Sequence, residues 1–295
     1  MTERFDHALQ QASPELADAL SPIVNAKSFA GVITAQQFQQ LKQATNLTDS
    51  ELTLSLLPFA AIASKPPISD FKVGAIATGG SGNLYFGGNL EFVTQQLVQT
   101  VHAEQSAISH AWMKGETDIT HITVNYTPCG HCRQFMNELT SAAHLTIQLP
   151  NKPKASLHTY LPDAFGPNDL NIKAPLLSPI DHGYQLPQGS EVEQAALQAF
   201  NRSYAPYSDN ISGVAIELDD GSIFQGAYAE NAAFNPSLAP LQIAINLLWL
   251  AGKDETKIKT WCLIESAQGK IRHQQAAQHT MAAINTRCEF IYHSL

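Results

Sequence analysis

The chain has 295 residues, of which 44% are hydrophobic and 15% are charged, a composition typical of a globular protein with a sizeable core. The formal net charge is −9 at pH 7, and the 17 lysines and arginines form no basic run, so the composition argues against a nucleic-acid partner. Two of the four cysteines lie close together and two are isolated, which excludes a disulfide framework and favours metal or redox chemistry.

The N-terminus carries acidic residues where a secretory signal needs a basic start followed by an apolar run. The longest apolar stretches, residues 52–63 and 241–251, are too short to span a bilayer. We therefore expect no membrane partner and a cytoplasmic location.

Residues 1–47 place apolar side chains at helical spacing and predict a small helical segment with no visible chemistry. Thr48 and Glu51 have the spacing of a capping box, which predicts that an apolar helix begins here. Two short apolar runs follow, at residues 71–77 and 84–92, and the Gly-Gly-Ser-Gly sequence between them predicts a hairpin.

A helix over about 101–114, a strand over 122–126, a helix opened by Pro128 and a strand over 145–150 complete this pattern. The order strand, strand, helix, strand, helix, strand predicts helices layered on a mixed sheet. Residues 151–186 are rich in Pro, Asn and Asp and predict a loop.

The second half of the chain repeats the first. Residues 67–70 resemble 206–209, and residues 102–108 resemble 239–245. The same comparison pairs Asn89 with Asn231. The chain is therefore predicted to be a duplicated α/β domain.

The second copy lacks the polar residues that could carry chemistry. Ala239 and Leu241 stand where the first copy has His102 and Glu104, and no second Pro-Cys-x-x-Cys sequence occurs. We expect one functional site per chain, located in the first copy.

Cys129 and Cys132 are three positions apart at the start of a predicted helix, so they share one helix face. The positive end of the helix dipole favours thiolates there, and two thiolates at this spacing can bind zinc. Taken alone, the pair also fits a thioredoxin-like redox site or half of a structural zinc site.

His102 can supply a third ligand, and three protein ligands plus water are typical of catalytic zinc. Residues two apart on a regular helix face different directions, so His102 and Glu104 converge only if they lie in the opening turn. His131, between the two cysteines, is expected to point away from the metal.

The sequence His-x-Glu followed by Pro-Cys-x-x-Cys resembles the signature of the zinc nucleoside and nucleobase deaminases. Over essentially the whole chain, the sequence is similar to the long-chain, homodimeric type of cytidine deaminase, most closely in TVHAEQSAISHAW and NYTPCGHCRQFMNEL. The resemblance implies a duplicated three-layer α/β/α deaminase core with a mixed sheet, preceded by a small helical domain. The implied division is an N-terminal domain (1–47), a catalytic core (48–168), a linker (169–186) and a degenerate deaminase-like domain (187–295).

The resemblance also implies the activity, which is zinc-dependent hydrolysis of cytidine and 2′-deoxycytidine to uridine and 2′-deoxyuridine, with release of ammonia, in pyrimidine salvage. One Zn²⁺ per chain would be held by His102, Cys129 and Cys132. Glu104 would take a proton from the attacking water and deliver it to N3 of cytosine and then to the leaving amino group.

The same family pattern assigns Phe71, Asn89, Leu90 and Glu91 to the substrate. Phe71 would pack on the base, and Asn89 and Glu91, which share one face of a strand, would bind the ribose hydroxyls. Without the resemblance, residues 89–91 fit an ordinary polar turn.

The implied partners are a pyrimidine nucleoside and a second copy of the chain. In that homodimer the loop with Phe165 and the segment Asn231–Phe234 would close the partner's active site, which makes the active sites composite.

Two alternatives remain open from the sequence. A deoxycytidylate, guanine or nucleic-acid deaminase would use the same chemistry on another substrate. A non-catalytic interaction module with a structural Cys/His zinc site would need a closed metal site and no Glu104.

Overall fold

The computed structural model describes residues 4–295, in which two mixed β-sheets are each covered by helices. The strands are β1 (Val32–Ile33), β2 (Gly74–Gly79), β3 (Leu84–Gly88), β4 (Ile119–Val124), β5 (Thr146–Gln148), β6 (Ala155–Ser156), β7 (Ser212–Leu218), β8 (Ile223–Ala227), β9 (Ile258–Glu265) and β10 (Glu289–Ser294). The helices are α1 (Asp6–Gln11), α2 (Pro14–Val24), α3 (Ala35–Thr45), α4 (Asp49–Ala61), α5 (Ala103–Met113), α6 (Gly130–Met136), α7 (Leu157–Tyr160), α8 (Glu191–Arg202), α9 (Pro240–Leu250) and α10 (Gln274–Ile284). Short 3₁₀ turns occupy Leu97–Gln99, Pro167–Leu170 and Glu255–Lys257.

The first sheet has the strand order β1-β3-β2-β4-β5-β6, and only β4 and β5 run parallel. Helices α4 and α5 cover its opposite faces at very close range. A Cβ atom added to Gly74 would lie 2.6 Å from the backbone of Ala61 in α4, and one added to Gly87 would lie 2.3 Å from Ala107 in α5. Glycine at these positions lets the helix backbones touch the sheet.

The second sheet repeats this arrangement as β8-β7-β9-β10, in which β9 and β10 are the parallel pair. Gly213 faces α8 and Gly226 faces α9, with added Cβ atoms 2.1 Å from each helix backbone. Both sheets also carry an irregularity at the same place, after Thr78 in β2 and after Glu217 in β7. The predicted duplicated, three-layer α/β fold is confirmed.

The register of the repeat differs from the predicted one. Ala229 makes the same two kinds of isolated backbone bridge in the second repeat that Leu90 makes in the first. Tyr228 is therefore the counterpart of Asn89, and the predicted pairing of Asn89 with Asn231 is wrong. The Gly-Ala-Tyr-Ala-Glu sequence hides this match because the amide is replaced by an aromatic ring.

The N-terminal segment contains a strand as well as the predicted helices. Val32 and Ile33 of β1 pair with Tyr85 and Leu84 of β3, so this segment extends the first sheet. Its helices share a hydrophobic core with α4 and one face of the sheet. The capping box at Thr48 is present and opens α4, as predicted. The domain boundaries stay predictions.

The two repeats meet along α5 and α9, which pack against each other. The Ser106 hydroxyl donates to Asn246 Oδ1 at 2.6 Å, and Gln105 Nε2 donates to the Pro236 carbonyl at 2.9 Å. These buried bonds fix the start of α5 relative to the second repeat. Within residues 4–295, no helix combines the length and apolar character needed to cross a membrane.

Candidate metal centre and active site

The start of α5 brings His102 and Glu104 to one place. The chain pairs at Val101 with Leu90 and then turns into the helix, with His102 as the N-cap in an extended conformation (φ −81°, ψ 154°). Glu104 lies in the first turn. Because an N-cap residue lies outside the regular helical geometry, its side chain need not follow the helical spacing. His102 and Glu104 therefore lie at the opening of the helix, which is the condition under which the sequence allowed them to converge.

The start of α6 supplies the two cysteines. Cys129 is the N-cap, and Cys132 is buried in the first turn. The helix begins at Gly130, two residues later than the sequence predicted from Pro128, so Cys129 projects from the helix end. The backbone N–H groups at this end favour negative charge on both sulfurs.

The ligand atoms of His102, Cys129 and Cys132 lie within 4.8 Å of one another. Cys129 Sγ is 3.7 Å from Cys132 Sγ and 3.4 Å from His102 Nδ1. A tetrahedral zinc ion requires about 3.8 Å between two sulfur ligands and about 3.6 Å between sulfur and nitrogen, from the usual bond lengths. The three residues therefore fit zinc without rearrangement, and a fourth ligand position remains for water.

The acid–base properties of the three ligand groups are coupled. The hydrogen bond from the Cys132 thiol, helped by His102, lowers the pKa of Cys129 to about 3. Burial raises the pKa of Cys132 well above its usual range, and the negative charge of Cys129 adds to this effect. Burial lowers the pKa of His102, but the hydrogen bond to Cys129 and the negative charges of Cys129 and Glu104 together raise it by more. The cluster thus holds a thiolate ready for a cation.

Glu104 is only 4% exposed, and burial raises the pKa of its carboxyl group. It lines a cleft of about 490 Å³ together with His102 and Cys129. A buried carboxyl group with a raised pKa, next to a candidate metal site, is suited to take up and release a proton during a reaction.

Asn89 and Glu91 line the same cleft, and the side chains of both also form hydrogen bonds with the backbone around it. The Asn89 amide accepts from the Val73 N–H at 2.8 Å and donates to the Phe71 carbonyl at 2.9 Å, which leaves one N–H and one lone pair free. Glu91 accepts from the backbone N–H groups of Ile68 and Ser69 at 2.7 and 2.9 Å. Burial raises the pKa of Glu91, but the bonds from Ser69 and Ile68 lower it by more.

Phe71 lines the cleft with its ring 49% exposed, and Leu90 lies elsewhere. Leu90 is 1% exposed, packs in the hydrophobic core and exchanges backbone hydrogen bonds with Val101. Its place between Asn89 and Glu91 therefore puts its side chain on the opposite face of the chain.

The structure adds cleft residues that the sequence reasoning missed. They are Ser69, Val73, Thr100, Ala103, Tyr126 and Thr127. The Tyr126 ring lies 4.6 Å from that of Phe71, so the two form an aromatic wall. The position of Tyr126 at the end of the predicted strand over 122–126 and two residues before Pro128 was the available signal. His131 also differs from expectation, since its ring stacks on His102 at 4.7 Å instead of pointing away.

The second repeat keeps a cleft of about 470 Å³ at the corresponding place but has no metal ligands there. Ala239 lines it where His102 lines the first cleft, while Glu230 retains the place of Glu91. Within residues 4–295, His102, Cys129 and Cys132 are the one group of three His, Cys, Asp or Glu residues arranged for a metal ion.

These features define a zinc-dependent deaminase fold, and comparisons with known proteins agree. Residues 47–147 and 157–278 each match the model described as "Cytidine and deoxycytidylate deaminase zinc-binding region". The cytidine deaminase of Vibrio vulnificus (strain YJ016) is 52% identical over 295 residues, covering 100% of both chains. That of Proteus mirabilis (strain HI4320) is 51% identical, covering 97% of this chain and 98% of the relative. The solved cytidine deaminase of Mycobacterium tuberculosis is 28% identical over 41% of this chain and 99% of that one, with a TM-score of 0.37.

The chain belongs to the cytidine and deoxycytidylate deaminase family, and the two matches confirm that both repeats derive from its zinc-binding region. The family and the ligand geometry together identify Zn²⁺ as the cofactor.

Proposed function

We propose that this chain catalyses the hydrolytic deamination of cytidine and 2′-deoxycytidine. The observation that carries the proposal is the convergence of His102, Cys129 and Cys132 beside the buried Glu104, at one cleft. The full-length relatives named as cytidine deaminases support the substrate.

Each residue of the cluster has a separate task in this reaction. His102, Cys129 and Cys132 would hold Zn²⁺, which would lower the pKa of water and so supply a nucleophile near neutral pH. Glu104 accepts the proton of that water, because its carboxylate is buried and close to the ligands. It then protonates N3 of cytosine as the water oxygen adds to C4. The hydroxyl formed at C4 gives its proton to Glu104, which passes it to the amino group, so that the C4–N bond breaks and ammonia leaves.

The cleft favours a nucleoside over a nucleotide. Among the described residues that line it, none is Lys or Arg, so a 5′-phosphate would find no cationic side chain. The aromatic wall of Phe71 and Tyr126 suits a planar base, and the free N–H of Asn89 and the carboxylate of Glu91 suit ribose hydroxyls.

The active form in this proposal is a homodimer with composite active sites. The cleft is lined by first-repeat residues from Ser69 to Cys129, and Phe71 and Tyr126 remain about half exposed. Phe165 and Phe234 are 48% and 67% exposed, so both rings are accessible to a second copy. A second copy that covers the cleft with these rings would bury both sets of aromatic surface.

The experiment is to give the zinc-loaded protein free cytidine and measure ammonia release. We expect release from cytidine, its loss after treatment with a chelator, and its return when Zn²⁺ is added. Deoxycytidylate and an oligonucleotide containing cytidine test the related substrates and should react far more slowly. A zinc-loaded protein that releases no ammonia from cytidine would contradict the proposal.

The assembly is tested separately by sedimentation at the protein concentration used in the assay. A sedimenting species of twice the chain mass is expected. A fully active monomer would contradict the composite sites but would leave the proposed reaction in place.

A further inference from the structure

Glu138 is a fully buried carboxylate that lies two residues beyond the end of α6. Its carboxylate accepts hydrogen bonds from the hydroxyls of Tyr204 and Tyr207 at 2.6 and 2.5 Å and from the backbone N–H of Ala232 at 2.9 Å. All three donors belong to the second repeat, whereas Glu138 belongs to the first. The residue therefore ties the zinc-ligand helix to the second repeat.

The bond to Ala232 fixes a particular stretch, Asn231–Phe234, called here the Phe234 segment. Asn231 Nδ2 donates to the carbonyl of Gln134 in α6 at 3.0 Å, which is a second tie between the segment and the same helix. Phe234 has a positive φ of 61°, a conformation that costs a bulky residue energy and persists only where neighbouring contacts impose it. The segment is thus held in one shape.

The charge on Glu138 is expensive to bury and has no cation in contact among the described residues. Burial raises the pKa of its carboxyl group, and the hydrogen bonds from Tyr204 and Tyr207 oppose that increase. The three donors are what makes the carboxylate tolerable in the interior. Strong, short bonds of this kind place the Ala232 backbone more rigidly than apolar packing would.

The Phe234 segment does not serve the active-site cleft of its own chain. Phe234 lines the 470 Å³ cleft of the second repeat, whereas the cleft at the metal ligands is lined by residues from Ser69 to Cys129. The exposed Phe234 ring is therefore available to a second copy. This step depends on the homodimer and the reaction proposed above.

We propose that Glu138 is a positioning residue that acts across the dimer, by holding the Phe234 segment in the shape that closes the active site of the partner subunit. The bonds to Tyr204, Tyr207 and Ala232 carry this role. Its effect is on substrate binding, because the zinc ligands and Glu104 are not among its contacts.

The first test is Glu138→Gln, which keeps the side-chain shape and removes the charge. One amide oxygen cannot replace two carboxylate oxygens, so at least one of the three donors loses its acceptor. We expect KM for cytidine to rise about tenfold while kcat stays within about threefold, since the lost contact serves ground state and transition state alike. Zinc content should stay at about one per chain.

Mixed dimers decide whether the effect crosses the interface. In a dimer of a Glu104→Gln chain with a Glu138→Gln chain, the one competent active site lies in the second chain and is closed by an intact segment. This dimer should have the KM of the wild type. In the reciprocal dimer, a wild-type chain is paired with a chain that carries both substitutions, and its competent site should show the raised KM.

The matched control is Glu265→Gln, because Glu265 is equally buried and accepts from the His273 N–H at 2.9 Å and the Tyr292 hydroxyl at 3.1 Å, away from the Phe234 segment. This variant should keep the KM of the wild type. Tyr207→Phe is the second test if Glu138→Gln does not fold. It removes one donor and should raise KM about threefold, with the same dependence on the partner chain.

The outcomes separate this proposal from the earlier one. If KM is raised in the dimer whose competent chain carries Glu138→Gln, and is that of the wild type in the reciprocal dimer, then Glu138 acts within its own subunit. That result overturns the proposal. An unchanged KM in a folded Glu138→Gln homodimer overturns it as well. A wild-type protein that is inactive on cytidine overturns the proposed function first, and this inference with it.

Discussion

Replacing Glu104 with Gln removes the proposed proton carrier and little else. The side chain is 4% exposed and lies in the first turn of α5, and Gln has nearly the same size and shape. Burial raises the pKa of the Glu104 carboxyl group, which means that the ionised form destabilises the folded protein. A neutral amide removes this destabilisation. The variant should therefore fold at least as stably as the wild type.

The loss of activity follows from the number of proton transfers that Glu104 serves. A positioned acid–base group contributes about 10²–10⁴-fold to each step that it assists. Glu104 receives the proton of water and delivers it to the substrate, so its loss should reduce kcat by up to about 10⁴-fold. This corresponds to about 5 kcal/mol of transition-state stabilisation.

The assay combines ammonia release from cytidine with elemental analysis of the same preparation. We expect negligible turnover and an unchanged zinc content, because His102, Cys129 and Cys132 remain in place. Turnover within tenfold of the wild type would show that another group carries the proton. Loss of the metal would show that Glu104 is a ligand.

Three further predictions concern the metal, the cleft wall and the pH dependence of stability. Cys132→Ser should reduce zinc from about one per chain to far less and abolish turnover, since the buried Cys132 sulfur lies 3.7 Å from that of Cys129 and is one of the three candidate ligand atoms. Elemental analysis that finds zinc unchanged, or two zinc ions in the wild type, would contradict the single-site interpretation. Glu91→Gln should raise KM for cytidine and lower the melting temperature, because the Glu91 carboxylate accepts hydrogen bonds from two backbone N–H groups. These bonds also lower the pKa of Glu91, so the stabilisation should fade as the pH falls through the pKa of the folded state. A difference in melting temperature between variant and wild type that does not change with pH would argue against this account. Burial lowers the pKa of His110 from 6.5 to about 4, so on acidification the unfolded chain binds a proton before the folded protein does. The free energy of unfolding should therefore decline by about 3 kcal/mol between pH 6.5 and pH 4. Denaturant titrations of His110→Gln should show a shallower decline, and a pH profile identical to that of the wild type would exclude His110 as a cause.

The sequence predicted the candidate zinc ligands because their chemistry is local. Cys129 and Cys132 are neighbours on one helix start, and the capping pattern at Thr48 likewise involves residues of one turn. The convergence of His102 and Glu104 was harder to predict, because it depends on His102 being an N-cap. That position is set by the bridge between Val101 and Leu90, a contact between separate parts of the chain.

The parts that the sequence did not reveal depend on non-local pairing. Strand β1 has two residues, too few to show a strand period, and it exists because β3 offers it an edge. The tie between Glu138 and Ala232 joins the two repeats, and neither local sequence contains a signal for it. The face on which the Leu90 side chain lies also depends on strand register, because a shift of one residue moves every side chain of a strand to the opposite face.

Comparison with the second repeat distinguishes the structural role of Asn89 and Glu91 from their proposed role in binding substrate. Glu230 accepts from the N–H groups of Tyr207 and Ser208 at 2.7 and 3.1 Å, as Glu91 does from the equivalent loop, although no metal ligand is present in the second repeat. A carboxylate here is therefore required for the loop whether or not a substrate is bound.

Asn89 differs, because its counterpart Tyr228 has no amide and the second repeat folds without one. The Tyr228 backbone N–H still bonds the Ser212 carbonyl at 3.0 Å, as the Asn89 N–H bonds the Val73 carbonyl at 3.3 Å. The backbone contact thus belongs to the scaffold, and the amide is particular to the repeat that holds the metal site. Substitution of Glu91 must therefore be followed by a measurement of stability beside the measurement of KM, whereas the second repeat folds without a side-chain amide at the place of Asn89.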